Sequence, residues 1–185
     1  MTKLQRSLSR NAPLSKPLLW AEECRNKWIP PQNVEEKVEE LRHGGASIAT
    51  LNGSFDLLHA GHLQIIFEAS QQADILIVAL NTDASIQAYK SPSRPIIPLE
   101  YRLQMLSALE FVDYVTWFDE TTPIKILEKI KPDVHINGAE YGENCIEAEV
   151  VKKHGGTLHL VNLIQGLSTS AVVAKIQSLD DSKKI

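Results

Sequence analysis

The sequence predicts an α/β protein built on a doubly wound, five-stranded parallel sheet, preceded by a short helical appendage. Two observations carry this expectation. From Ala46 onward, apolar runs of strand length alternate with segments of helical period. The run at 75–80 is apolar at every position, the pattern of a parallel strand covered on both faces. Strands alternating with helices through right-handed crossovers place ligands at the carboxyl ends of the strands. The loops after Leu51, Leu80, Phe118, Ile136 and Leu163 are therefore where function is expected.

Residues 1–16 are polar, contain Pro13 and are expected to be mobile, and a short helix is expected within 18–27. Pro30-Pro31 ends it, because proline removes a backbone donor and clashes with the preceding turn. Asn33 is a plausible cap for a helix to about Arg42, with Val34, Val38 and Leu41 on one stripe and Gly44-Gly45 at its end. That stripe serves either an interface or the core. Strands are expected at 47–51, 75–80, 114–118, 134–136 and 158–163. Helices are expected at 61–72, with Leu63, Ile66, Phe67 and Ser70 on its face, then at 100–109, from Pro123 to about Lys131, at 145–154, and from Ser168 or Thr169 to about Leu179. The expected organisation is an appendage at 1–45, a principal domain at 46–180 and a tail at 181–185.

Composition narrows the classes. The 185 residues carry a formal net charge of −4, 43% hydrophobic and 23% charged residues. That balance is ordinary for a globular domain and lacks the basic surplus of a nucleic-acid-binding protein. Two distant cysteines, Cys24 and Cys145, form neither a disulfide framework nor a metal pair, which fits a reducing cytoplasm. The basic start is followed by Asn-Ala-Pro, unlike a secretory signal, and no transmembrane run is present.

The chemistry concentrates after the first predicted strand. Asn52-Gly53-Ser54-Phe55-Asp56 leads into His59-Ala60-Gly61-His62 at a helix entrance. Glycines at 53 and 61 let backbone approach a ligand, a helix N-terminus offers free N–H groups and a positive dipole end, and two imidazoles add side-chain donors. Such a set suits a nucleotide phosphate. A second helix entrance, Gly166-Leu167-Ser168-Thr169-Ser170, follows the last strand; an ordinary capped helix is the plain alternative there.

The His-x-Gly-His stretch resembles the signature of the nucleotidylyltransferase superfamily, which has a Rossmann-like fold. Together with Asn81-Thr82-Asp83, Arg94-Pro95, Pro98-Leu99-Glu100-x-Arg102 and Gly166 to Ser170, it resembles the cytidylyltransferase-like branch, and within it the sugar-phosphate adenylyltransferases of ADP-heptose synthesis. The resemblance spans residues 48 to about 177. It implies that AMP passes from ATP to D-glycero-β-D-manno-heptose 1-phosphate, giving ADP-heptose and pyrophosphate for lipopolysaccharide core assembly. It also implies catalytic roles for His59, His62, Lys90 and Arg102. Nucleotide contacts are implied at Asn52, Gly53, Ser54, Phe55, Gly61, Asn137, Gly138, Ser168, Thr169 and Ser170. Acceptor contacts are implied at Asp56, Asp83 and Arg94. For several of these a plainer reading stands beside the implied one: a solvated lysine at 90, a helix-surface ion pair for Arg102 with Glu100 or Glu110, a solvent arginine at 94, a loop cap at Asp56 and a helix cap at Asp83.

Magnesium is expected as the companion of ATP, since no dense carboxylate cluster argues for a metal site made by protein alone. A homodimer is implied by the resemblance, a membrane or nucleic-acid partner is not. The sequence departs from the family at two places. Asn137 and Glu140 stand where the relatives carry lysine and aspartate, which leaves the base contacts open, and Leu163-Ile164-Gln165 replaces an arginine-containing segment of the cytidylyltransferases. Many relatives carry the domain after a sugar kinase; with only a short appendage here, kinase activity is not expected. A cytidylyltransferase for glycerol 3-phosphate or a similar small phosphate, and a non-catalytic nucleotide-binding module, are the competing readings.

Overall fold

The computed structural model describes residues 19–162, 164 and 166–181. Two short helices, α1 (Trp20–Arg25) and α2 (Val34–His43), precede the sheet, with a 3-10 turn at Pro31–Asn33 between them. Then follow β1 (Ile48–Gly53), α3 (Ala60–Ala69), β2 (Ile75–Asn81), α4 (Asp83–Tyr89), α5 (Leu99–Ser107), β3 (Tyr114–Phe118) and α6 (Ile124–Ile130). The chain continues through β4 (Val134–Gly138), α7 (Ala148–Lys153), β5 (Thr157–Val161) and α8 (Thr169–Asp181).

The five strands are all parallel, in the order β3-β2-β1-β4-β5. The chain winds outward from β1 to β3, returns, and continues on the other side through β4, so β1 and β4 flank the point where the winding reverses. Alternation along each strand divides the core. Ala49, Leu51, Leu76, Val78, Leu80, Val115 and Ile136 face α3 and α5, meeting Ile65, Ile66, Leu103 and Leu106. Ile48, Ile75, Ile77, Ala79 and Phe118 face α2 and α6, meeting Val34, Val38, Ile126 and Ile130. Every residue of β2 is buried, as its unbroken apolar run anticipates.

The first residues of the described chain are integral to this core. Val34 and Val38 are buried and Leu41 packs beside them, so the α2 stripe covers the sheet. Residues 27–29 run along the outer edge of β3. The Ile29 N–H donates to the Val115 carbonyl (2.8 Å) and the Val115 N–H donates to the Lys27 carbonyl (2.9 Å). Lys27 Nζ then donates to the carbonyls of Leu109 and Val112 at 2.9 and 2.7 Å, closing the loop before β3.

Several local expectations are corrected. Asn33 occupies the cap position of α2 without a side-chain capping bond. On α3 the buried face is Gly61, Ile65, Ile66 and Ala69, while Leu63 and Phe67 are 38% and 52% exposed. The 3.6-residue stripe lies one position away from the one read off the largest apolar side chains. Thr82, not Asp83, caps α4, its Oγ1 accepting from the Ser85 N–H. The segment at 145–154 is helical only over Ala148–Lys153. The expected strand ends β5 at Val161, and Leu163 lies outside the described residues, as do 1–18, Gln165 and 182–185.

One buried polar pair gives the fold a pH dependence. His135 on β4 is fully buried, and its Nδ1 lies 2.8 Å from Thr50 Oγ1 on β1. Its Nε2 has no partner, so a proton there would place an unmet donor and a charge among apolar side chains. Burial therefore pushes this imidazole down to about 4 from 6.5. The unfolded chain takes up the proton at the higher pH and the folded chain only at the lower one. Stability from this group is complete above pH 6.5 and is lost as pH falls toward 4. Urea unfolding over that range should lose about 3 kcal/mol from this source, and His135→Leu should flatten that part of the profile.

Candidate active site at the carboxyl ends of β1 and β4

A cavity of about 500 Å³ opens where the winding reverses, a volume suited to a nucleotide-sized ligand. The loop from β1 forms its floor. Asn52 and Gly53 leave the strand, and Phe55 turns the chain with φ of 45°, in the left-handed region that a bulky residue rarely occupies. Phe55 is held there because its ring is buried in the core and lies 5.5 Å from the His62 ring. That strain is of order 1–3 kcal/mol, the kind of distortion that persists where surrounding packing fixes it.

His59 and His62 stack at the entrance to α3, with ring centroids 3.9 Å apart and planes inclined by 26°. Gly61 makes this stack fit, since a Cβ there would stand 3.1 Å from the His59 ring. Burial lowers the His59 pKa. Burial, then the neighbouring His59 and then Lys90, push His62 down to about 4. At neutral pH both rings are thus uncharged hydrogen-bonding groups, and the charge at this end resides on Lys90.

Lys90 ends α4, and its Nζ donates to Ser54 Oγ at 3.1 Å, across the cavity mouth. Burial and the nearby Arg94 lower its pKa, with Asp56 opposing them. The second helix entrance reaches the same space. Ser168, Thr169 and Ser170 line the cavity, and Leu167 touches the position a Gly61 side chain would take. Ser168 caps α8, its Oγ accepting from the Ala171 N–H at 3.1 Å. Two helix N-termini and one lysine thus converge on one space, an arrangement that favours an anion.

The opposite wall has another character. Asn137 and Gly138 at the end of β4 line it, with Glu140, Tyr141, Ile146 and Glu147. The Glu140 carboxylate lies over Gly138, in the space a side chain there would fill. Burial, then the charges of Glu140 and Glu147, raise the pKa of the Tyr141 hydroxyl. Tyr89, Phe118, Thr121 and Glu147 reach this cavity without having been singled out in the sequence. Tyr89 adjoins Lys90 and was accessible to inspection. Glu147 lies in an acidic stretch that reads as a solvated helix start.

The cavity is lined by thirteen of the expected residues: Asn52, Gly53, Ser54, Phe55, His59, Gly61, His62, Lys90, Asn137, Gly138, Ser168, Thr169 and Ser170. Four others stand behind its wall, and the structure corrects their expected contacts. Arg102 is fully buried, and its donors are taken by the protein itself. Nε donates to the Ile97 carbonyl (2.9 Å), Nη1 to those of Ser54 (2.6 Å) and Asn81 (2.9 Å), and Nη2 to Asp83 Oδ1 (2.7 Å). It is not a surface partner of Glu100 or Glu110, and the bonds it makes are to the protein, with Asp83 Oδ1 engaged by it. Asp56 is buried, its Oδ1 accepting from the N–H groups of Ile96 and Ile97 at 2.8 Å each, while its Oδ2 pairs with Arg94 Nη2 at 2.6 Å. Asp56 and Arg94 therefore clamp the 90–98 loop to the floor of the site.

No group of three or more metal-binding side chains occurs among the described residues. Asp56 is already taken by Arg94, and Glu147 accepts from the amides of Asn52 and Asn137. The side chains present do not make a resident magnesium site. No described helix is long and apolar enough to cross a membrane.

Comparison with known proteins agrees with this architecture. Residues 50–176 match the model of the family described as cytidylyltransferase-like. The chain is 40% identical over 151 residues, 81% of its length, to the bifunctional protein HldE of Gluconobacter oxydans, and 43% identical over 143 residues, 77% of its length, to that of Methylobacillus flagellatus. It spans 32% and 29% of those relatives, so it corresponds to one part of them. Among solved structures, a lipopolysaccharide core biosynthesis protein from Thermoplasma volcanium superposes with a TM-score of 0.52 at 29% identity, covering 65% of this chain and 98% of that one. A pantoate-beta-alanine ligase from Francisella tularensis shares the fold at 16% identity, with a TM-score of 0.60 over 80% of this chain and 72% of that one.

Arg102→Lys tests the scaffold role. An ammonium cannot reach four acceptors set around a planar fork, so buried oxygens lose their donors. The variant should lose about 3–5 kcal/mol in urea unfolding. An arginine that merely contacted ligand would leave unfolding unchanged.

Proposed function

The chain belongs to the cytidylyltransferase-like family, and from that premise we propose that it transfers AMP from ATP to D-glycero-β-D-manno-heptose 1-phosphate, releasing pyrophosphate and forming ADP-heptose. The observation that carries the reading is the convergence of the stacked His59–His62 pair, Lys90 and the α8 entrance on one cavity. The likeness to the HldE proteins and to a lipopolysaccharide core biosynthesis protein supports the heptose part of it.

The chemistry asks little of acid–base groups. An acceptor phosphate is already ionised at neutral pH. Its oxygen attacks the α-phosphorus of ATP, the bond to the bridging oxygen breaks, and pyrophosphate leaves with the bonding pair. Catalysis then consists of alignment and of donors aimed at oxygens that gain charge. The neutral imidazoles of His59 and His62 donate hydrogen bonds to phosphate oxygens. Lys90 bridges the α-phosphate and the acceptor phosphate, freed from Ser54 by a short rotation of its side chain. The N–H groups at Thr169 and Ser170 hold the outer phosphates. Magnesium enters on the triphosphate, which supplies most of its ligands.

A pyrophosphate-release assay crossing ATP and CTP with heptose 1-phosphate and glycerol 3-phosphate tests the assignment. Turnover is expected with ATP and the heptose phosphate. Turnover only with CTP would replace the proposal by a cytidylyl transfer, and nucleotide binding without pyrophosphate release for any acceptor would leave a binding module. In the productive combination, His62→Ala should lower kcat by about 100- to 1,000-fold while the circular dichroism spectrum is preserved.

A further inference from the structure

The part of the cavity lining that follows β4 holds a carboxylate in an unusual setting. Glu147 is 8% exposed and lines the cavity, yet it makes no ion pair among the described residues. Its neighbours are two amides from adjacent strands. Asn52 Nδ2 on β1 donates to Oε1 at 3.5 Å, and Asn137 Nδ2 on β4 donates to Oε2 at 3.3 Å. Both bonds are long, and a carboxylate offers about four acceptor positions. Glu147 also occupies the cap position of α7 without capping it, so its oxygens are turned away from the free N–H groups of its own helix. A buried carboxylate with two weak donors and no cation is costly unless something else donates to it.

The amides are themselves fixed. Asn137 Oδ1 accepts from the Gly138 N–H at 3.0 Å, which aims its Nδ2 at Glu147. The wall therefore presents oxygen acceptors, with the flat ring of Tyr141 and the side chain of Ile146 beside them. The one lysine among the described cavity-lining residues, Lys90, is bonded to Ser54 in the loop after β1. A nucleoside triphosphate has the complementary polarity: anionic at one end, and at the other a flat base and a sugar bearing hydroxyl and amine donors.

We propose that Glu147 is the specificity-determining residue for the nucleoside, accepting a hydrogen bond from a ribose hydroxyl or from the exocyclic amine of the base. This rests on the reading of the cavity as a nucleoside triphosphate site. Glu147→Gln is close to isosteric, but it sets an amide donor against the donor of Asn52 or Asn137 and withdraws one acceptor from the cavity.

Calorimetric binding to wild type and Glu147→Gln decides it, with ATP, 2′-deoxyATP, 3′-deoxyATP, purine riboside triphosphate, which lacks the 6-amino group, and inorganic tripolyphosphate as probes. In wild type at least one of the three analogues should bind about tenfold or more weakly than ATP, the usual scale for a hydrogen bond to a charged group, and the analogue affected tells hydroxyl from amine. In the variant, ATP should weaken by a similar factor and its advantage over that analogue should vanish, with tripolyphosphate unchanged. Equal binding of ATP by both proteins, or an equal loss for tripolyphosphate, overturns the role of Glu147. Should the variant not fold, equal binding of all three analogues and ATP to wild type overturns it as well. Tripolyphosphate that fails to bind wild type counts instead against the underlying phosphate reading, which keeps the two failures apart.

Discussion

The Arg102 guanidinium is the constraint on which the site depends. It gathers the end of β1 through Ser54, the end of β2 through Asn81, the start of α4 through Asp83 and the loop entering α5 through Ile97. Strand ends in a parallel sheet have exhausted their ladder bonds, and their last carbonyls need donors from elsewhere. One planar, permanently charged fork satisfies two of them, together with the Ile97 carbonyl of the loop, and pins the chain on either side. Asp56 completes the task from below, holding Ile96 and Ile97 by their N–H groups and Arg94 by its side chain. Lys90 stands at one end of the loop so fixed. Its reach across the mouth of the cavity follows from charges that never face the ligand.

The cavity itself is organised by contrast. Its two partly buried ion pairs, Arg102–Asp83 and Arg94–Asp56, each join a buried charge to a more exposed one. The imidazoles are held neutral by burial. What remains in the described lining is a lysine, two helix entrances and two carboxylates. Neutral imidazoles can donate hydrogen bonds without a proton leaving or returning. The strained turn at Phe55 sets their geometry, since the same ring that fills the core also supports His62.

The strand and helix order was legible because parallel strands buried on both faces write continuous apolar runs, and β2 and β3 were readable almost residue for residue. The meeting of the loop after β1 with the α8 entrance was equally legible, since glycines, histidines and helix-capping residues at two strand ends of one sheet line one cavity. The scaffold bonds of Arg102 were not legible because burial is invisible in a one-dimensional chain: a guanidinium that bonds the protein and one that bonds a ligand are written identically. The α3 stripe was misassigned because Leu63 and Phe67 are larger than the Gly61 and Ala69 that the sheet accommodates. Glu147 left no trace because its partners, Asn52 and Asn137, are distant in sequence and meet only through the pairing of β1 with β4.

The short stretch at 27–29 has a consequence at the scale of many molecules. An open sheet edge is a template on which another chain can add a strand. Growth into a filament requires two such edges on each molecule, one for each neighbour. Here β3 is already paired along its outer side by Trp28 and its neighbours, and among the described residues β5 alone pairs on a single side. The pairing at Val115 shortens the stretch of β3 that a second chain could extend, and leaves β5 as the longer unpaired edge among the described residues.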